Sequence, residues 1–101
     1  MKDQVIGQGA ESYTFDAQSI FDNAPSESGV YALLRDQRWV YIGETQDIHE
    51  RLFQHLRTDN ECLKRNAPNL FQFEICPENE RVQRQDALIH SLNPACTERM
   101  G

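Results

Sequence analysis

Gly29-Val30-Tyr31 and Tyr41-Ile42-Gly43, with Arg35-Asp36-Gln37-Arg38 between them, decide how this chain folds. Both words lie in runs rich in Val, Leu, Tyr and Trp, and the polar quartet interrupts those runs over the length of a tight turn. The stretch reads as a β-hairpin, its first strand about Gly29 to Leu34 and its second about Arg38 to Ile42, with Gly43 ending the second. A hairpin places the two tyrosines near one another. They are ten residues apart, and Arg51 follows Tyr41 after the same ten-residue step.

Downstream of the hairpin, Asp47-x-x-Glu50 has the form of a capping box, and Ile48, Leu52 and Leu56 follow at four-residue steps. This predicts a helix with one apolar face. Arg51 and His55 are i and i+4 on it, so a guanidinium and an imidazole project as neighbours that can converge on one anion. Residues 57–69 are polar and end in Asn66-Ala67-Pro68-Asn69, which reads as a loop or broken helix. Leu70 to Cys76 reads as a third strand, and Pro77 to Glu80 opens a last helix that runs to about Leu92 and stops at Asn93-Pro94. Upstream, Phe15 to Phe21 has loose helical spacing. Residues 1–14 carry two glycines and little periodicity, and are expected as a flexible N-terminal arm. The expected fold is α+β: a small three-stranded antiparallel sheet, a hairpin plus one strand, flanked by helices, in a single domain over residues 15–101.

A chain of 101 residues accommodates one modest core. It has no apolar run long enough to cross a membrane and no secretory leader pattern, so the expectation is a soluble cytoplasmic protein. Cys62, Cys76 and Cys96 are odd in number and widely spaced, which argues against a disulfide framework or a zinc knuckle and for small apolar fillers. The net charge of −6 counts against promiscuous nucleic-acid binding, since phosphate neutralisation supplies most non-specific affinity. The negative charge is uneven, however. Residues 35–65 balance Asp36, Glu44, Asp47, Glu50, Asp59 and Glu61 against Arg35, Arg38, Arg51, Arg57, Lys64 and Arg65.

The combination Gly29-Val30-Tyr31, Tyr41-Ile42-Gly43-Glu44-Thr45, Arg51-Leu52 and His55 resembles the GIY-YIG nucleases over roughly Pro25 to the C-terminus. The resemblance implies a divalent-metal-dependent endonuclease acting on DNA phosphodiester bonds with Mg²⁺ or Mn²⁺. It implies catalytic roles for Tyr31, Tyr41, Arg51 and His55. Tyr31 would be a general base if nearby cations lower its phenolic pKa, Tyr41 would position phosphate or water, Arg51 would brace the phosphate, and His55 would donate to it or orient a tyrosine. Arg51, Arg38, Thr45 and Arg57 are the candidate nucleic-acid contacts. Taken singly, each tyrosine fits sheet packing better than catalysis, Arg51 fits a solvated helix face, and Trp39 fits a half-buried sheet position; the shared spacing reverses this for the tyrosines.

One departure from the family pattern stands in the last helix. Counting back from Leu88-Ile89 and from Pro94, the glutamate that serves the family as metal ligand falls on Gln85. Glutamine is isosteric but neutral, and a hard cation with few protein ligands depends on carboxylate charge, so weak metal binding and little cleavage are expected. Asp86 is a weaker substitute. It lies about 100° around the helix from a face formed by Val82, Gln85, Leu88, Ile89 and Leu92. A second departure is Thr97, where many relatives carry asparagine. A naturally degenerate nuclease and one silenced by substitution both accommodate Gln85. The alternatives to an enzyme are a non-catalytic DNA-binding module and a protein-interaction domain with a protein partner, the latter in keeping with the acidic N-terminal third.

Overall fold

The computed structural model describes residues 4–97, so the first three residues of the expected arm and the last four of the expected domain lie outside the description. Its elements in chain order are β1 (Tyr13–Thr14), α1 (Ala17–Asn23), β2 (Gly29–Arg35), β3 (Arg38–Thr45), α2 (Ile48–Leu56), α3 (Glu61–Asn66), β4 (Leu70–Ile75), a 3₁₀ turn (Glu78–Glu80) and α4 (Arg81–Leu92). The strands form one sheet in the order β1-β4-β2-β3, each neighbouring pair antiparallel. The expectation of three strands is therefore corrected to four.

The extra strand is β1, which pairs Tyr13 with Phe71 and Thr14 with Leu70 along the outer edge of β4. Its ring stacks against Phe71 and Phe73 at 5.3 and 5.8 Å between centroids. Residues before it follow the other face of β4. The Ile6 amide donates to Glu74 Oε1 at 3.1 Å and the Gly7 amide to Gln72 Oε1 at 3.0 Å, and Ile6 is buried. Nothing in the periodicity of this segment marks it, because its partners are acceptors on a strand more than sixty residues away.

The hairpin is as the sequence has it, with a two-residue loop at Asp36-Gln37, Asp36 taking the left-handed conformation at φ 55°. β3 runs on past Gly43 to Thr45, since Glu44 and Thr45 still find partners in Val30 and Gly29. The two sheet faces carry separate cores. Tyr31, Leu33, Val40, Tyr41, Phe71 and Phe73 face Ile48 and Leu52 of α2, while Val30, Ala32, Leu34 and Ile42 face Leu88 of α4. Side-chain caps start three helices: Asp16, Asp47 and Asn60 accept from the amides of Ser19, Glu50 and Leu63. The last of these starts the short helix α3 within the stretch read as a loop or broken helix.

Past α4 the chain returns to β3. Ala95 and Cys96 donate their amides to the carbonyls of Trp39 and Val40 at 3.0 and 2.7 Å, and Cys96 bridges Tyr41 in parallel. Here the cysteine reading is also corrected: Cys62 of α3 and Cys96 form a disulfide, with Cα atoms 5.9 Å apart across 34 residues of sequence. Only the fold brings them together. Cys76 is free and buried, as a small apolar filler.

Candidate functional site

Strand register explains why the two tyrosines meet. Tyr31 lies opposite Gly43 and Tyr41 opposite Leu33, so the rings are diagonal neighbours on one face, 6.0 Å apart between centroids. Gly43 makes room for them. A Cβ there would stand 2.5 Å from the Tyr31 hydroxyl oxygen and 2.9 Å from Cε2 of Tyr41, inside any real contact. Gly29 is constrained in the same way, since a Cβ would meet the Glu74 carbonyl of β4 and stand 2.8 Å from Ile48 Cδ1 of α2.

Helix α2 closes over this pair. Leu52 is buried beneath it, and the positions one before and three after it deliver Arg51 and His55. The His55 ring sits 5.4 Å from Tyr31 and 5.5 Å from Tyr41, and its Nε2 is 2.7 Å from the Tyr31 hydroxyl. Burial, and then the Arg51 guanidinium, push the His55 pKa down to about 4, so the imidazole is neutral near pH 7. In its Nδ1–H tautomer the ring accepts the Tyr31 hydroxyl proton as a hydrogen bond.

Tyr31 itself is held well above the ordinary tyrosine range, first by burial and then by Tyr41, while Arg51 beside its hydroxyl works the other way. The condition attached to Tyr31 as a phenolate base, cations strong enough to lower its pKa, is not met by this arrangement. What the four residues form is a buried, neutral proton pair with a guanidinium at its mouth. Arg51 also donates through Nη1 to Gln54 Oε1 at 2.8 Å.

Arg51 opens onto a cleft of about 510 Å³ lined also by Glu44, Thr45, Asp47, Glu50 and Arg81. Thr45 Oγ1 accepts from the Asp47 amide at 3.1 Å, so its hydroxyl shapes the turn into α2. The remaining sequence candidates lie elsewhere. Arg38 opposes Arg35 at the turn end of the hairpin, and the exposed Arg57 caps the far end of α2. His49 donates through Nδ1 to the Ala24 carbonyl at 2.9 Å.

Gln85 faces inward on α4, 8 % exposed, with Leu88 buried beside it; Val82, assigned to the same face, is exposed. Its Nε2 donates to Oδ1 of the exposed Asp86 at 3.4 Å. One turn earlier, where the i, i+4 spacing could have drawn attention, Arg81 reaches the cleft. Its Nε donates to Glu44 Oε1 at 2.9 Å and its Nη1 to Ser28 Oγ at 3.2 Å. Ser28 Oγ donates in turn to the Cys76 carbonyl at 2.8 Å. This network was not anticipated from sequence.

The sequence pattern of the GIY-YIG catalytic domain matches residues 27–94. The chain belongs to the GIY-YIG family. Among curated relatives it is similar to the UvrABC system protein C of Aquifex aeolicus, 33 % identical over 86 residues that make up 80 % of this chain and 15 % of that protein. The corresponding protein of a Hydrogenobaculum strain is 38 % identical over 56 residues, 55 % of this chain and 10 % of that one. The chain thus spans only a small fraction of these relatives. Among solved structures, the fold is similar to the GIY-YIG N-terminal endonuclease domain of UvrC from Thermotoga maritima bound to its catalytic divalent cation. A point mutant of that domain superimposes with TM-score 0.69 at 23 % identity, covering 82 % of this chain and 96 % of that one. The magnesium-bound form gives TM-score 0.66 at 23 % identity, covering 78 % and 92 %.

Gln85, where the sequence resemblance leads one to expect a glutamate, presents a neutral amide, while Glu44 is engaged by Arg81 and Asp47 caps α2. Among the described residues no three His, Cys, Asp or Glu side chains gather to hold a metal ion.

Proposed function

We propose that this GIY-YIG domain contacts the DNA phosphodiester backbone at Tyr31, Tyr41, Arg51 and His55, and that cleavage is weak or lost because residue 85 supplies no carboxylate. The observation that carries this reading is the assembled Tyr–Tyr–His–Arg cluster, with a buried glutamine at the position where the resemblance leads one to expect the metal-ligand glutamate. Arg51 is the phosphate contact, its planar fork matched to two oxygens. Tyr41 and the Tyr31–His55 pair set the position of that phosphate, with the neutral imidazole able to take a proton passed through the Tyr31 hydroxyl. A divalent cation, Mg²⁺ or Mn²⁺, is the group that supplies Lewis acidity to related domains, and here the donor set lacks its carboxylate.

Plasmid nicking in Mg²⁺ and in Mn²⁺ tests the proposal. The chain as it stands is expected to leave supercoiled DNA intact or nearly so, and Gln85→Glu to introduce metal-dependent nicks. Robust nicking by the unaltered chain contradicts the loss of cleavage, and absence of nicking in Gln85→Glu contradicts the idea that the site lacks only its ligand.

A second reading, a protein-interaction domain on this fold, is supported by the three carboxylates of the cleft and the net charge of −6. It predicts a stable protein complex in the absence of any DNA affinity.

A further inference from the structure

The cleft beside Arg51 has a second guanidinium that the family pattern does not account for. Arg81 begins α4, four residues before Gln85, and its side chain is 16 % exposed against a Glu44 side chain 25 % exposed. Two anchors fix it. Glu44 continues β3 directly after Gly43, and Ser28 precedes β2 and is tied to the carbonyl of Cys76 at the end of β4. A guanidinium carries five N–H donors, and Glu44 and Ser28 engage two of them. It is therefore held in one orientation by three strand ends, which removes much of the rotamer entropy that an arginine loses on gripping an anion.

Charge in the cleft gives this group a task. Glu44, Asp47 and Glu50 oppose Arg51 and Arg81, and Arg81 is the cation that α4 contributes to the lining. Asp47 is turned toward the helix amide of Glu50, at 3.0 Å. The carboxylate competing for Arg81 is thus Glu44. We infer that Arg81 is a second phosphate-binding residue, forming with Arg51 a two-guanidinium clamp on a nucleic-acid backbone phosphate that operates without a divalent cation, and that Glu44 holds Arg81 in place until phosphate competes for it. This rests on the DNA-backbone reading above and extends it to the opposite wall of the cleft.

Fluorescence anisotropy of a labelled duplex oligonucleotide, titrated with the full chain across a range of salt, provides the test. Binding is expected to be as tight in EDTA as in Mg²⁺. Arg81→Gln is expected to weaken it about fivefold or more and to reduce the salt slope by about one. Glu44→Gln is expected to tighten it, and by more than Glu50→Gln, an equal change of charge on the same cleft that does not touch Arg81. Loss of binding in EDTA, an unchanged affinity and salt slope in Arg81→Gln, or equal effects of Glu44→Gln and Glu50→Gln each overturn the clamp. Should Arg81→Gln fail to fold, the two glutamate variants decide, because a purely structural ion pair gives Glu44→Gln no advantage. Arg51→Ala separates the two levels: binding lost there but retained in Arg81→Gln removes Arg81 alone, whereas no binding by the unaltered chain at low salt removes both.

Discussion

His55 is only 6 % exposed, sits against two tyrosine rings, and has Arg51 near enough to disfavour its charge. Its folded-state pKa of about 4 lies below the unfolded value near 6.5, so the unfolded chain binds more protons between those values. Stability from this group is present in full above about pH 6.5 and is lost as pH falls toward 4, to a total on the order of 3 kcal/mol. Denaturant unfolding from pH 7 to 4 is expected to show that decline, and His55→Gln to flatten it; equal slopes in both proteins would contradict the assignment. The four-residue step from Arg51 to His55 was legible because helix geometry alone makes those positions neighbours. The burial of both His55 and Tyr31 was not legible, since it comes from Leu52 and Ile48 pressing α2 onto the sheet, and that burial is what turns Tyr31 from a candidate phenolate into a hydrogen-bond donor. Gln85 is the opposite case: its inward position followed from spacing, and the structure buries it.

Among the elements, those specified by their own sequence read correctly and those specified by distant partners did not. The hairpin carries two runs rich in Val, Leu and Tyr around a polar turn, and α2 carries its cap and apolar stripe, so both are local. β1 is two residues long and exists through β4; the segment after α4 joins β3 through Cys96 and is tied to α3 through Cys62. No window of the sequence contains those pairings. The disulfide closes 34 residues, and in a chain-entropy estimate a loop of that order contributes about 2–4 kcal/mol. Reduction is accordingly expected to lower the free energy of unfolding by about that amount in denaturant titrations, and an unchanged midpoint with and without reductant would show that the cross-link contributes nothing. Because Cys96 also bridges Tyr41, the same titration followed by tyrosine fluorescence reports whether the cross-link braces the site.

At the scale of the molecule, a net charge of −6 surrounds the proposed phosphate site. Long-range attraction to DNA is therefore weak, and affinity must come from a few short contacts rather than from a basic surface. On the proposed reading, DNA binding has a shallow salt dependence, set by the guanidinium groups assigned to phosphate. Among the described residues no helix is long and apolar enough to cross a membrane. Sequence placed the hairpin and the two neighbouring tyrosines but gave the sheet three strands instead of four, and the α4 wall, where Arg81 meets Glu44, required the packing of a helix against a strand some forty residues earlier. The proposed backbone-binding cluster draws its affinity from Arg51. Its most direct test is the equilibrium affinity for a duplex oligonucleotide at low salt, compared between the unaltered chain and Arg51→Ala. Measurable binding that falls about tenfold or more in Arg51→Ala is the predicted result, and identical affinities, or no binding by the unaltered chain, would contradict it.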